Sequence, residues 1–178
     1  MIAADHGISS RSPQSIESFI EICSPLQIVW KAVQNVDVAG IPRNLLLSFL
    51  DIPEPVSATL YDQGVGSKRI AIFSNGKKFI QTVTEWNPPY SYTFNFEAEA
   101  RFRVGYLFDL SKETFSILSG SYRLESLTNG GVRLYLESHY IFSIRFLKPI
   151  VHYLLKRYQV DLLRRIRINC ENQHDENT

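Results

Sequence analysis

The spacing of apolar residues changes along the chain, and each change marks an element. In "SIESFIEI", Ile16, Ser18, Ile20 and Ile22 alternate with Glu17, Phe19 and Glu21; apolar residues on both sides predict a first strand with two largely covered faces. "SPLQIVWKAVQNV" then places Leu26, Val29, Trp30 and Val33 at helical spacing, with Ser24 as N-cap and Pro25 at the first helical position. Prolines bracket the apolar run of "GIPRNLLLSFLDIPEP", over 40–56, which reads as either a short helix or a lid-like loop.

From Ser57 the period falls to two. Turn signals at "DQGVG", Asn75-Gly76, "NPP" and "TNGG" separate strand-length apolar segments. Asn75-Gly76 is the strongest hairpin signal, because a two-residue turn needs positive φ at both positions. Tyr90, Tyr92, Phe94 and Phe96 share one face of a strand, and Phe102, Val104, Tyr106, Phe108 and Leu110 share one face of the next. "SGSYRLESLTNGGVRLYLESHYIF" supplies two further strands about a tight turn. Such alternation describes an antiparallel sheet with one face turned inward.

The period then returns to helical. In the stretch Arg145 to Ile168, Leu147, Ile150, Val151, Leu154, Leu155, Tyr158, Leu162 and Ile166 fall within one arc of roughly 160°. A helix of this length spans about 30 Å, enough to cross a small sheet. The element order of strand, short helices, antiparallel strands and long helix predicts an α+β fold with a curved sheet packed on the last helix. The polar ends, 1–15 and 169–178, read as tails around a single domain over 16–168.

Composition refines this picture in two places. The 178 residues carry a net charge of only +1, yet the last helix region holds seven Lys or Arg against one Asp. A membrane-surface helix is one reading of that charge; the preferred one is a core helix whose outer face, with Lys156, Arg157, Arg164 and Arg167, is solvated. Asp161 and Arg165 project within the apolar arc, as an i,i+4 pair at a sheet edge or as groups facing a partly hydrated interior. Cys23 and Cys170, without companion spacing, argue against a disulfide scaffold or metal site and fit a reducing compartment. With no signal peptide or membrane span in evidence, a soluble cytoplasmic protein is expected.

The ordered series "SPLQIVWKAVQNVD", "GVG" before a hairpin, "VTEWNPPYSYTF", "GSYRLESLTNGGVRLYLE" and a long C-terminal helix resembles the SRPBCC superfamily, which includes START-type, birch-pollen-allergen-type and polyketide cyclase/dehydrase-type domains. The resemblance spans about Ile16 to Ile168 and implies a helix-grip fold: about seven antiparallel strands around the C-terminal helix, with short helices closing one end. It also implies a cavity between helix and sheet that holds apolar or amphipathic small molecules. The segment "AGIPRNLLLSFLDIPEP" departs from the usual pattern, so no lid is carried over.

Strand parity nominates Phe73, Tyr92, Phe94, Tyr106 and Tyr122 as cavity wall, with Tyr61, Arg69, Gln81, Arg103 and His139 as polar candidates. Leu155, Tyr158, Asp161 and Arg165 are the helix's contributions. A binding protein is the first reading, with a cavity of several hundred Å3 expected on general grounds. The second is a cyclase or dehydratase in which Glu137 and His139, on one face of an extended strand, form an oriented general base. No nucleophile elbow, metalloprotease helix, P-loop or dinucleotide fingerprint occurs, and His152 has no second ligand at i+4. No cofactor or metal is expected. Nucleic acid is not expected either, for want of aromatic-basic interleaving on an exposed face.

Overall fold

The computed structural model describes residues 12–98, 103–104, 108–109 and 114–175, and for 98, 103–104, 108–109, 174 and 175 the backbone alone. Among these residues ten strands and three α-helices follow in order: β1 (Gln14–Ile22), α1 (Leu26–Gln34), β2 (Val36–Asp37), α2 (Leu45–Phe49), β3 (Pro55–Leu60), β4 (Lys68–Phe73), β5 (Lys78–Asn87), β6 (Ser91–Ala98), β7 (Arg103–Val104), β8 (Phe108–Asp109), β9 (Phe115–Ser126), β10 (Val132–Phe142) and α3 (Lys148–Asp175). Eight strands form one antiparallel sheet in the order β1-β10-β9-β6-β5-β4-β3-β2. The sheet curls into a half-barrel about the long C-terminal helix, which is the helix-grip architecture.

Short turns make antiparallel neighbours, and the turn chemistry explains the connection from β4 to β5. Only Gly76 has positive φ there, at 76°; Asn75 does not. The loop therefore has three residues rather than the expected two: Phe73 N–H donates to the Lys77 carbonyl at 2.9 Å, and Gly76 N–H donates to the Phe73 carbonyl at 2.9 Å. This is a turn closed by a left-handed glycine, which costs glycine little because it lacks Cβ.

Several local expectations change. β1 buries one face, not two: Ile16, Ser18 and Ile22 point inward, while Phe19 remains 59% exposed and stacks against Tyr135 on the outer surface. Helix α1 starts after Pro25, which itself holds the cap position; its carbonyl accepts from Ile28 and Val29 N–H, and the Ser24 hydroxyl makes no cap. The segment 40–56 contains the short helix α2, capped by Asn44 Oδ1 accepting from Leu46 N–H at 3.0 Å. The strand read through Phe102 to Leu110 is instead interrupted. Arg103–Val104 and Phe108–Asp109 pair with each other as a separate ribbon, and its remaining residues lie outside the described ones.

α3 runs on to Asp175, so the boundary drawn at 168 lies inside a helix whose Cys170 is fully buried. Its inner face carries Val151, Leu162, Leu163 and Ile166. Ile150 was expected on that face but is 55% exposed. At 100° per residue Ile150 lies at the margin of the apolar arc, on the side that solvent reaches. No helix among the described residues is long and apolar enough to cross a membrane.

The main core joins α1 to the sheet. Trp30 packs on Trp86 at 5.2 Å and on Tyr92 at 5.8 Å between ring centroids, and Tyr92 stacks in turn against Phe94 and Tyr122. Each such ring taken out of water contributes about 1.5–3 kcal/mol. A second cluster of Ile16, Phe115, Tyr140, Phe142 and Val151 closes the other end. The candidate site lies between the two.

Candidate ligand cavity

Inward-facing residues of β3 to β6, β9 and β10 meet α3 around a cavity of about 70 Å3. Ala58 on β3 and Ala71 on β4, directly paired, are small, which leaves the space, and Phe73, Phe79, Phe94 and Phe96 wall one side. Leu155, Tyr158 and Leu162 of α3 close the other. The volume is well below the several hundred Å3 expected. At 10–15 Å3 per water-sized position it holds about five waters. The large inward rings that were read as cavity wall account for the difference, because they also fill the space: Phe73 and Phe79 stack edge to face at 4.8 Å, as do Phe94 and Phe96 at 5.2 Å.

Polar groups enter the wall at two places. The first is Arg69, 2% exposed, on β4. Strand pairing sets it directly across from Gln81 on β5. Its Nη1 donates to Gln81 Oε1 at 2.5 Å, its Nε to the Gln34 carbonyl at 3.2 Å and its Nη2 to the Val33 carbonyl at 3.1 Å. The two carbonyls end α1, where the helix dipole places partial negative charge. Tyr122 lies beside the same guanidinium; burial raises the phenol's pKa, and Arg69 opposes that rise. Tyr158 is raised too, first by burial and then by Tyr122 and Glu54, against the pull of Arg165. Both phenols are therefore neutral donors at physiological pH.

The second polar place is Gln159 on α3, at an inward position that the sequence reading passed over. Ser18 Oγ donates to Gln159 Oε1 at 2.8 Å, while Gln159 Nε2 donates to Ser138 Oγ at 3.0 Å and to the Ile16 carbonyl at 3.2 Å. The amide thus ties α3 to β1 and β10 and lines the cavity with its partner Ser138. The signal was present in the sequence: Ser18 and Gln159 are polar residues at core-facing positions, and buried polar groups need partners.

The structure brings seven of the nominated residues together at the cavity: Arg69, Phe73, Gln81, Phe94, Tyr122, Leu155 and Tyr158. Others go elsewhere. Tyr92 is fully buried, but under α1, where its hydroxyl donates to the Val33 carbonyl at 2.6 Å. Tyr61 follows the end of β3 and is 64% exposed, beyond the cavity. Arg103 falls on β7, described by its backbone alone, and Tyr106 lies outside the described residues.

Glu137 and His139 do share a face, as their spacing required, but it is the outer one. They contact each other at 3.4 Å with side chains 36% and 42% exposed, and Ser119 Oγ lies 3.3 Å from His139 Nδ1. The inward face of β10 belongs to Val132, Leu134 and Leu136, so the odd-numbered positions are turned outward. This removes the expected general base from the cavity. Among the described lining residues none is a carboxylate or a histidine.

Asp161 and Arg165 are both buried, yet they do not pair with each other. Asp161 Oδ1 accepts from Arg164 Nη2 at 3.1 Å, and Arg165 Nη1 donates to Glu54 Oε2 at 3.0 Å. Neither lines the cavity. Glu54, flanked by Pro53 and Pro55, carried no pattern that marked it as buried. No cluster of metal-ligating side chains occurs among the described residues.

No family model matches the chain, and no curated protein matches it. Solved structures do. The Zhui aromatase/cyclase from Streptomyces sp. R1128 aligns with a TM-score of 0.58 at 12% identity, over 91% of this chain and 96% of that one. Ara h 8.0201 aligns with a TM-score of 0.56 at 15% identity, over 90% and 99%. XoxI from Bacillus cereus aligns with a TM-score of 0.52 at 13% identity, over 87% and 94%. At such identities the likeness speaks for the fold alone, and that fold is the helix-grip fold.

Proposed function

We propose that this protein binds and carries a small amphipathic molecule in the space between its sheet and α3, acting in the cytoplasm. One observation carries the reading: a largely aromatic and aliphatic cavity wall holds a buried, hydrogen-bonded Arg69–Gln81 pair. Apolar walls with a few placed polar groups are how small-molecule sites combine affinity with orientation. A molecule of more than a few heavy atoms enters by displacing wall side chains, with Leu155 and Tyr158 of α3, both only partly buried, the first to move.

The neighbour named as an aromatase/cyclase keeps a catalytic reading in view. Against it, the described wall residues include neutral phenols and a guanidinium but no side chain suited to accept a proton. Binding without chemistry is therefore the preferred function. Native mass spectrometry of protein purified without denaturation is expected to show a bound small molecule that organic extraction removes. Bare protein in the spectrum, together with no thermal stabilisation by any hydrophobic or amphipathic probe, contradicts the proposal.

A further inference from the structure

Four charged side chains are buried among the described residues: Glu54, Arg69, Asp161 and Arg165. Three of them are neutralised. Glu54 and Arg165 pair with each other, and Asp161 pairs with Arg164. Arg69 is different: among the described residues no carboxylate lies within ion-pair distance of it, and every hydrogen bond it makes ends on a neutral acceptor. A buried full charge is costly unless an opposite charge meets it. The helix-end carbonyls of Val33 and Gln34 hold the guanidinium in place, but a helix terminus supplies only about half a charge.

The guanidinium also has donors to spare. It carries five N–H groups, and the hydrogen bonds above use one on Nε and one on each Nη. That leaves one N–H on each Nη to serve the Tyr122 hydroxyl, which hydrogen-bonds to the guanidinium, and an oxygen of a ligand oxyanion. The side chain forms part of the cavity wall, with Tyr122 beside it. The Phe94 and Tyr122 ring centroids stand 6.0 and 5.8 Å from Arg69 Cζ, so the charge sits beside two aromatic rings.

We propose that the ligand of this cavity is a monoanion: an apolar body bearing one carboxylate or an equivalent singly charged oxyanion, which pairs with Arg69 while the body lies against Phe73, Phe79 and Leu155. This rests on the binding function proposed above and names its ligand class. The charge count selects a monoanion, since among the described residues one buried cation is uncompensated and a dianion would leave a second buried charge unmet.

Isothermal titration of the full chain with short n-alkyl carboxylates, the alcohols of equal length and the corresponding amines tests this without a variant that risks loosening α1. The carboxylate is expected to bind about tenfold or more tightly than its alcohol, as a hydrogen bond to a charged group implies. The amine is expected to bind more weakly than either. Equal affinity for carboxylate and alcohol, or a preference for the amine, overturns the monoanion assignment and leaves the binding function standing. Absence of binding in all three series overturns both.

Discussion

Arg165 on α3 and Glu54 at the entry to β3, 111 residues apart, meet at 3.0 Å with both side chains shut away from solvent. Arg165 Nη2 also donates to the Val38 carbonyl at 2.9 Å, so one side chain ties α3 to both ends of the segment that carries α2. The pair is incompletely satisfied: Glu54 Oε1 and Arg165 Nε are buried without a hydrogen bond to protein.

Such a pair resists the loss of one partner more than the loss of both. Glu54→Met or Arg165→Met alone is expected to lower stability by about 3 kcal/mol, because a buried charge is left unmatched. The double variant is expected to recover to the wild-type value or above it. Urea denaturation of the four proteins supplies the cycle, and additive losses in the double variant would contradict this reading.

Burial and the nearby Asp161 raise the pKa of Glu54 above its ordinary value of 4.5, with Arg165 opposing. A carboxyl whose folded pKa lies above its unfolded one favours the folded state while protonated. That contribution is complete below pH 4.5 and is lost as pH rises through the folded value. Glu54→Gln keeps an acceptor for Arg165 and removes the titration. The melting temperature of Glu54→Gln minus that of wild type should therefore grow as pH rises from 4.5 toward neutrality. A flat or falling difference would show that the ion pair outweighs its desolvation.

Gly120 on β9 lies directly opposite Phe94 on β6. A Cβ there would come within 3.0 Å of the Phe94 ring and 3.2 Å of Phe96, so the glycine is needed for space. Gly120→Val is expected to cost about 1–3 kcal/mol by overpacking. It should also weaken ligand binding more than a surface change of equal stability cost, since the displaced rings wall the cavity. Calorimetric titration beside a denaturation curve separates the two effects.

The two cysteines should differ sharply in reactivity. Cys23 is exposed, whereas Cys170 is buried on α3 and burial pushes its thiol up to about 12. A disulfide reagent is expected to count one thiol in the native protein and two in denaturant. Two fast thiols under native conditions would mean that the end of α3 opens readily.

How far the sequence reached follows from the range over which its signals act. Period-two alternation in Tyr92, Phe94 and Phe96, period-3.6 spacing along α3 and the turn residues between strands are local properties. They were sufficient for the element order, the antiparallel sheet and the helix laid across it. Arg69 and Gln81 were legible only as polar residues of strand-like segments, while parity placed Glu137 and His139 on one common face. The apolar Val132, Leu134 and Leu136 could already have shown that this face is the outer one.

What the tertiary structure alone decided was partnership and volume. Asp161 and Arg165 are four residues apart, a spacing that permits a mutual ion pair, but their partners are Arg164 and Glu54. The curl of the sheet brings Glu54 across 111 residues to the inner side of α3, and no local pattern encodes that distance. Likewise, inward rings can either enclose a space or fill it. The stacking of Phe73 on Phe79 and of Phe94 on Phe96 leaves about 70 Å3, with a lone buried guanidinium at its wall. Alternation specifies which side chains face inward, and three-dimensional packing determines how much room they leave.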